Sequence, residues 1–159
     1  METAGVNQQG FDALTGQVSQ ITAGPGDTTG KLQSICRLLK DSVPYYNWVG
    51  FYLVDKIHPQ ELVLGPFVGL PTEHTRIPFG KGICGQAAQR KEVFIAQDVA
   101  AETNYIACST KVRSEMVVPV FKADQLVGEL DIDSNTISAF SDRNREFLET
   151  VCRIVGPLF

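Results

Sequence analysis

Residues 114–134 read Ser114-Glu115-Met116-Val117-Val118-Pro119-Val120-Phe121-Lys122-Ala123-Asp124-Gln125-Leu126-Val127-Gly128-Glu129-Leu130-Asp131-Ile132-Asp133-Ser134. Two β-rich runs, about 115–121 and 125–133, flank the polar turn Lys122-Ala123-Asp124, which predicts an antiparallel hairpin. Alternate residues of a strand share a face. On the second run Leu126, Leu130 and Ile132 are expected to point one way, and Val127, Glu129, Asp131 and Asp133 the other. On the first run Glu115, Val117 and Pro119 share a face.

Working outward, Trp48-Val49-Gly50-Phe51-Tyr52-Leu53-Val54 is another β-rich run, with Trp48 and Tyr52 on the face opposite Val49, Phe51 and Leu53. His58-Pro59-Gln60 turns the chain into a strand from Glu61 to Phe67, and a short helix at about 83–91 precedes a strand from Val93 to Ala96. Phe11, Leu14, Val18 and Ile21 recur at helical spacing, and Ala23-Gly24-Pro25-Gly26 ends that helix. Asp27 or Thr28 caps a second helix carrying Leu32, Ile35, Cys36, Leu38 and Leu39. Ser141 caps a last helix with the stripe Phe147, Leu148, Val151, Ile154 and Val155. This order predicts an α+β fold: a central antiparallel sheet, terminal helices on one face and mid-chain loops over the other. No repeat or linker divides it, so a single domain over 1–159 is expected, with residues 1–26 as an N-terminal helix and loop. The loops at 68–82 and 98–111 are long, and long loops tend to carry function.

With 159 residues, 43% hydrophobic and 20% charged, the chain has the composition of an ordinary globular domain. A formal net charge of -4 argues against nucleic acid, which calls for a basic surface. No apolar run is long enough to span a membrane. The opening residues lack the basic and apolar regions of a secretory signal, so a cytoplasmic location is expected.

The cysteines stand at 36, 84, 108 and 152, with no C-x-x-C pair, which disfavours a zinc ribbon or a thioredoxin-type motif. Cys36 and Cys152 lie on apolar helical stripes and read as buried small hydrophobes. Cys84 follows the glycine-rich turn Gly80-Lys81-Gly82, near the start of a short helix whose N–H groups favour a thiolate. It also fits a packed residue at a tight turn. Cys108 lies in polar loop sequence near Lys111 and Arg113. A metal site from His74, Cys84 and Cys108 is disfavoured, because no pair has a familiar ligand spacing, and no metal is expected. The acids Glu129, Asp131 and Asp133 alone fit a solvated strand face. Covering loops argue otherwise, since crowded carboxylates under a cover need a cation or a shared proton. Trp48 and Tyr52 alone fit core aromatics. Together with Glu115, Asp131 and Asp133 they make a box for a small molecule with an ammonium group and an apolar tail.

Several segments together resemble one family: Asn47-Trp48-Val49-Gly50-Phe51-Tyr52, Gly65-Pro66-Phe67, Arg76-Ile77-Pro78-Phe79-Gly80-Lys81-Gly82-Ile83-Cys84-Gly85, Ile106-Ala107-Cys108, Ser114-Glu115-Met116-Val117-Val118-Pro119 and Gly128-Glu129-Leu130-Asp131-Ile132-Asp133-Ser134. Over about 45–155 the chain resembles a stand-alone GAF domain of the free methionine-(R)-sulfoxide reductase family. The resemblance implies reduction of free L-methionine-(R)-sulfoxide. Cys108 and Cys84 would be the catalytic thiols, passing through a sulfenic acid and an intramolecular disulfide. Trp48, Tyr52, Glu115, Asp131 and Asp133 would bind substrate. It further implies no cofactor, a thioredoxin-like dithiol as reductant, and a homodimer. One departure is specific: the family typically carries a third cysteine ten residues before Cys84, and His74 stands there. Asn104-Tyr105 likewise stands where Gly-His usually precedes Ile-Ala-Cys. A non-catalytic GAF module that binds a small molecule or senses redox state is the alternative.

Overall fold

The computed structural model describes residues 5–107 and 109–159. Its first helix, α1 (Gln8–Ala23), begins where the Asn7 side chain accepts from the Gly10 N–H at 2.9 Å and stops at Gly24. Asp27 caps α2 (Thr28–Ser42) in the same way, at 2.8 Å from the Gly30 N–H. Ser141 caps α4 (Asp142–Val155). Each helix buries most of the stripe expected of it: Phe11, Leu14 and Val18, then Leu32, Ile35, Cys36 and Leu39, then Phe147, Leu148, Val151, Cys152 and Val155, while Ile21, Leu38 and Ile154 are half-buried at its margins.

Six strands among the described residues form one antiparallel sheet: β1 (Trp48–Val54), β2 (Glu61–Val68), β3 (Arg76–Pro78), β4 (Phe94–Ala96), β5 (Ser114–Lys122) and β6 (Gln125–Ser134). Their order across the sheet is β3-β2-β1-β6-β5-β4. The helices α1, α2 and α4 pack over one face, where Val49, Phe51, Met116, Val118, Leu130 and Ile132 complete a large apolar core. The other face is covered by α3 (Gly82–Arg90) and the loops on either side of it, which bury Ile77, Ile83, Ala87, Val99 and Val112 against Trp48, Tyr52 and Val117. The expected α+β layering is therefore the observed one. Among the described residues no helix is long and apolar enough to cross a membrane.

Two local features differ from the strand pattern. Leu126 does not share the face of Leu130 and Ile132. Val120 pairs with Gly128, but Phe121 pairs with Leu126, so Val127 is an extra residue in β6. This β-bulge reverses the alternation: Val127 packs toward the helical core and Leu126 joins the opposite cluster. The second feature is β3, a short edge strand within a stretch that reads as loop. It is held by buried Ile77 and by the Arg76 guanidinium, which donates to Asp55 at 2.6 Å and Glu61 at 2.7 Å.

The centre of the sheet is tight at Gly128. A Cβ there would stand 2.6 Å from the Tyr52 carbonyl oxygen, a backbone atom of the neighbouring strand. Gly128→Ala should therefore force β1 and β6 apart and cost about 1–3 kcal/mol. Urea unfolding is the measurement, and an unchanged midpoint would contradict the close approach.

Candidate functional site

Residues directly opposite each other in an antiparallel pair share a face. Trp48 pairs with Asp133, Gly50 with Asp131 and Tyr52 with Glu129, while Glu115 pairs with Asp133 and Val117 with Asp131. The register of three adjacent strands therefore brings Trp48, Tyr52, Glu115, Glu129, Asp131 and Asp133 together on the face away from α1, α2 and α4. The acids are not a solvated strand face: Glu115 is 5% exposed, Glu129 0%, Asp131 1% and Asp133 2%.

The aromatic side chains form the adjoining wall and tie down its cover. The Trp48 ring stacks on Phe67 with centroids 5.4 Å apart and on Tyr52 at 6.4 Å. Its Nε1–H donates to the Leu70 carbonyl at 3.0 Å, and the Tyr52 hydroxyl donates to the His74 carbonyl at 2.9 Å. The His74 ring in turn meets the Ala107 carbonyl through Nε2 at 3.0 Å. Asn104 joins the second loop to the start of α3. It accepts from the Gly82 N–H at 2.9 Å and donates to the Gly80 carbonyl at 2.8 Å. A cleft of about 170 Å³ opens beside Trp48 and Asp133, with Leu70, Ser109 and Lys111 on its rim. A larger groove of about 630 Å³ runs between Thr28, Leu32, Val54, Pro66 and Phe159, and none of the four clustered acids lines it.

Cys84 sits in the first turn of α3, 5% exposed, with its Sγ 3.9 Å from Glu115 Oε2. The expectation that the helix start favours a thiolate there is reversed. Burial pushes the thiol well up, and the charges of Asp131, Glu129, Glu115 and Asp133 add to the effect. Cys84 is held as a thiol. Burial also raises Glu129, Asp131 and Asp133 above the usual carboxylate range, with Asp131 adding repulsion at both Glu129 and Asp133. Neither Glu129 oxygen, nor Asp131 Oδ1, nor Asp133 Oδ1 finds a hydrogen-bond partner among the described residues. Cys108 lies outside the described residues. Cys36 and Cys152 are buried as expected, hydrogen-bonded to the carbonyls of Pro66 and Val118, and desolvation raises both thiols.

The structure thus brings Trp48, Tyr52, Glu115, Asp131, Asp133 and Cys84 together on one face of the sheet. What the sequence left unassigned is Glu129, His74 and Asn104. Glu129 was legible: it lies in the same alternation as Asp131 and Asp133. The other two act through loop contacts, which carry no periodic signal.

The GAF domain family model matches residues 32–158. The chain is 36% identical to the free methionine-R-sulfoxide reductase of Escherichia coli, over 85% of this chain and 79% of that one. The X-ray structure of the free methionine-R-sulfoxide reductase of Neisseria meningitidis in complex with its substrate superposes with a TM-score of 0.89. It is 36% identical, covering 95% of this chain and 89% of that one. The corresponding protein of Staphylococcus aureus, also in complex with substrate, gives a TM-score of 0.86 at 35% identity, covering 96% and 97%.

The buried acids make stability depend on pH with a definite sign. Their folded pKa values are raised, so the folded chain holds protons that the unfolded chain releases above about pH 4. Stability from this source is complete below that point and is lost as pH rises toward the folded values, at about 1.4 kcal/mol per pH unit for each such proton. Glu129→Gln should flatten the fall in stability between pH 5 and 8, whereas the same change at exposed Glu146 should not. Thermal unfolding across that range provides the comparison, and equal slopes in both variants would refute the buried, protonated state of Glu129.

Proposed function

This chain belongs to the GAF family, among the free methionine-(R)-sulfoxide reductases, and we propose that it reduces free L-methionine-(R)-sulfoxide to L-methionine with thiols as the source of electrons. The observation that carries this reading is the aromatic wall of Trp48, Tyr52 and Phe67 beside a buried set of carboxylates and a thiol. The substrate has three parts to satisfy. Its ammonium needs negative charge, its methyl sulfoxide end needs an apolar wall, and its oxygen needs a proton before it leaves sulfur.

The acids supply the first and the third. One or two of Glu115, Asp131 and Asp133 ionise and bind the ammonium. Another, kept protonated by burial and by its neighbours, donates to the sulfoxide oxygen. Trp48 and Tyr52 flank the apolar end. Cys108 attacks the substrate sulfur, the oxygen passes to the enzyme as a sulfenic acid, and methionine leaves. The Cys84 thiol then condenses with the sulfenic acid, forming a disulfide and releasing water. A thioredoxin-like dithiol opens that disulfide by exchange and restores both thiols. The upward shift at Cys84 supports Cys108 as the first to attack, because a thiol held protonated is a weak nucleophile. With His74 in the place of a third cysteine, Cys84 takes the resolving role. The same reading assigns the protein to the cytoplasm as a homodimer.

The test is consumption of thioredoxin-coupled reducing equivalents with free methionine-(R)-sulfoxide, compared with the same residue inside a peptide. Turnover is expected only with the free amino acid. Cys108→Ser should abolish it, and Cys84→Ser should leave a single stoichiometric release of methionine. Asp131→Asn and Asp133→Asn should each lower kcat/KM by about 100-fold, a loss of about 2.7 kcal/mol. If no methionine is released even with a strong small dithiol, the protein is a non-catalytic ligand-binding GAF module.

A further inference from the structure

Cys84, Glu115 and Asp131 come from three different elements, α3, β5 and β6. One ligand atom of each lies within 4.8 Å of the other two. We propose that these three side chains form a binding site for a thiophilic divalent cation, zinc or cadmium, at which the ion excludes the amino-acid substrate. In a tetrahedral zinc site a sulfur and a carboxylate oxygen stand about 3.5 Å apart. Cys84 Sγ and Glu115 Oε2 are 3.9 Å apart, so the pair closes on an ion with a shift of tenths of an ångström.

A second observation points to a cation independently of that spacing. Asp131 Oδ1, Asp133 Oδ1 and both Glu129 oxygens have no hydrogen-bond partner among the described residues, although each residue is at most 2% exposed. No ion pair reaches Glu129, Asp131 or Asp133 among the described residues. The contrasting cluster is Asp55, His58 and Glu61, whose atoms are equally close. There the Arg76 guanidinium already bridges Asp55 and Glu61 and supplies the positive charge.

The donor set fixes the class of ion. A sulfur with two carboxylate oxygens suits zinc or cadmium and disfavours magnesium and calcium, which take oxygen ligands. Three protein ligands leave a fourth position for water or for a neighbouring carboxylate. Binding forms a metal–sulfur bond and releases the Cys84 proton to solvent. The ion then occupies the thiol that the reductase reading needs free. Binding stands apart from that reading; inhibition rests on it.

Cadmium titration of the reduced protein, with a phosphine in place of thiol reductants, reads the site through thiolate-to-cadmium charge-transfer absorption. One saturable ion per chain is expected, displaced by zinc and not by magnesium. Cys84→Ser should remove the signal, while Cys36→Ser and Cys152→Ser should leave it. The near-isosteric Glu115→Gln and Asp131→Asn should each weaken binding by at least about tenfold, the low end of the loss for even an outer-shell partner. A signal that survives Cys84→Ser and disappears in Cys108→Ser overturns the assignment, as does one insensitive to both carboxylate variants. In turnover assays zinc should raise the apparent KM and be reversed by a chelator. Cadmium binding without any turnover would sink the reductase reading and leave the metal site standing.

Discussion

Burying Glu115, Glu129, Asp131 and Asp133 on one face of the sheet is the constraint on which the rest of the molecule depends. Side by side out of water, such groups repel one another and lose their hydration. They stay together because the opposite face of the same strands carries Met116, Val118, Leu130 and Ile132 into the helical core. A slip of one residue in β6 would send the acids into that core and the leucine and isoleucine into the pocket. The core beneath α1, α2 and α4 thus acts at a distance. It locks the register, and the register assembles the site.

The same crowding gives the acids two behaviours from one residue type. Burial, and then the repulsion of Asp131, raise Glu129 and Asp133, so each acid that ionises makes the next harder to ionise. On the proposed function, a substrate that is a cation at one end and a proton acceptor at the other would call on both states. Cys84 sits inside the cluster, a thiol kept from ionising first by burial and then by the carboxylates around it. A thiol in that state is protected from adventitious oxidants and reacts with an activated partner such as a sulfenic acid.

Much of this was legible in the sequence, because period-two alternation and strand pairing are properties of the backbone. Glu115, Asp131 and Asp133 could be placed on one face with Trp48 and Tyr52 from parity alone, and the three main helices from their apolar stripes and their caps. The misses have physical causes. Leu126 sits after a bulge, and an inserted residue leaves no mark in a pattern that reads one strand at a time. The edge strand Arg76–Pro78 owes its place to an ion pair and a single buried isoleucine, not to β-rich composition. For Cys84, the helix start was visible and the burial beside four acids was not, and desolvation outweighs a few N–H dipoles.

Trp48 and Tyr52 hold the covering loop by the carbonyl oxygens of Leu70 and His74. Every amino acid offers that oxygen, whatever its side chain. The lid is therefore fastened in a way that is indifferent to the identity of the residues it is made from. Position 74 can exchange a thiol for an imidazole without loosening its own anchor, and the imidazole is then free to find a new contact at Ala107. The framework of the pocket is in this respect insulated from the chemistry hung on its cover, and the loop can drift through sequence while the chamber beneath it keeps its shape.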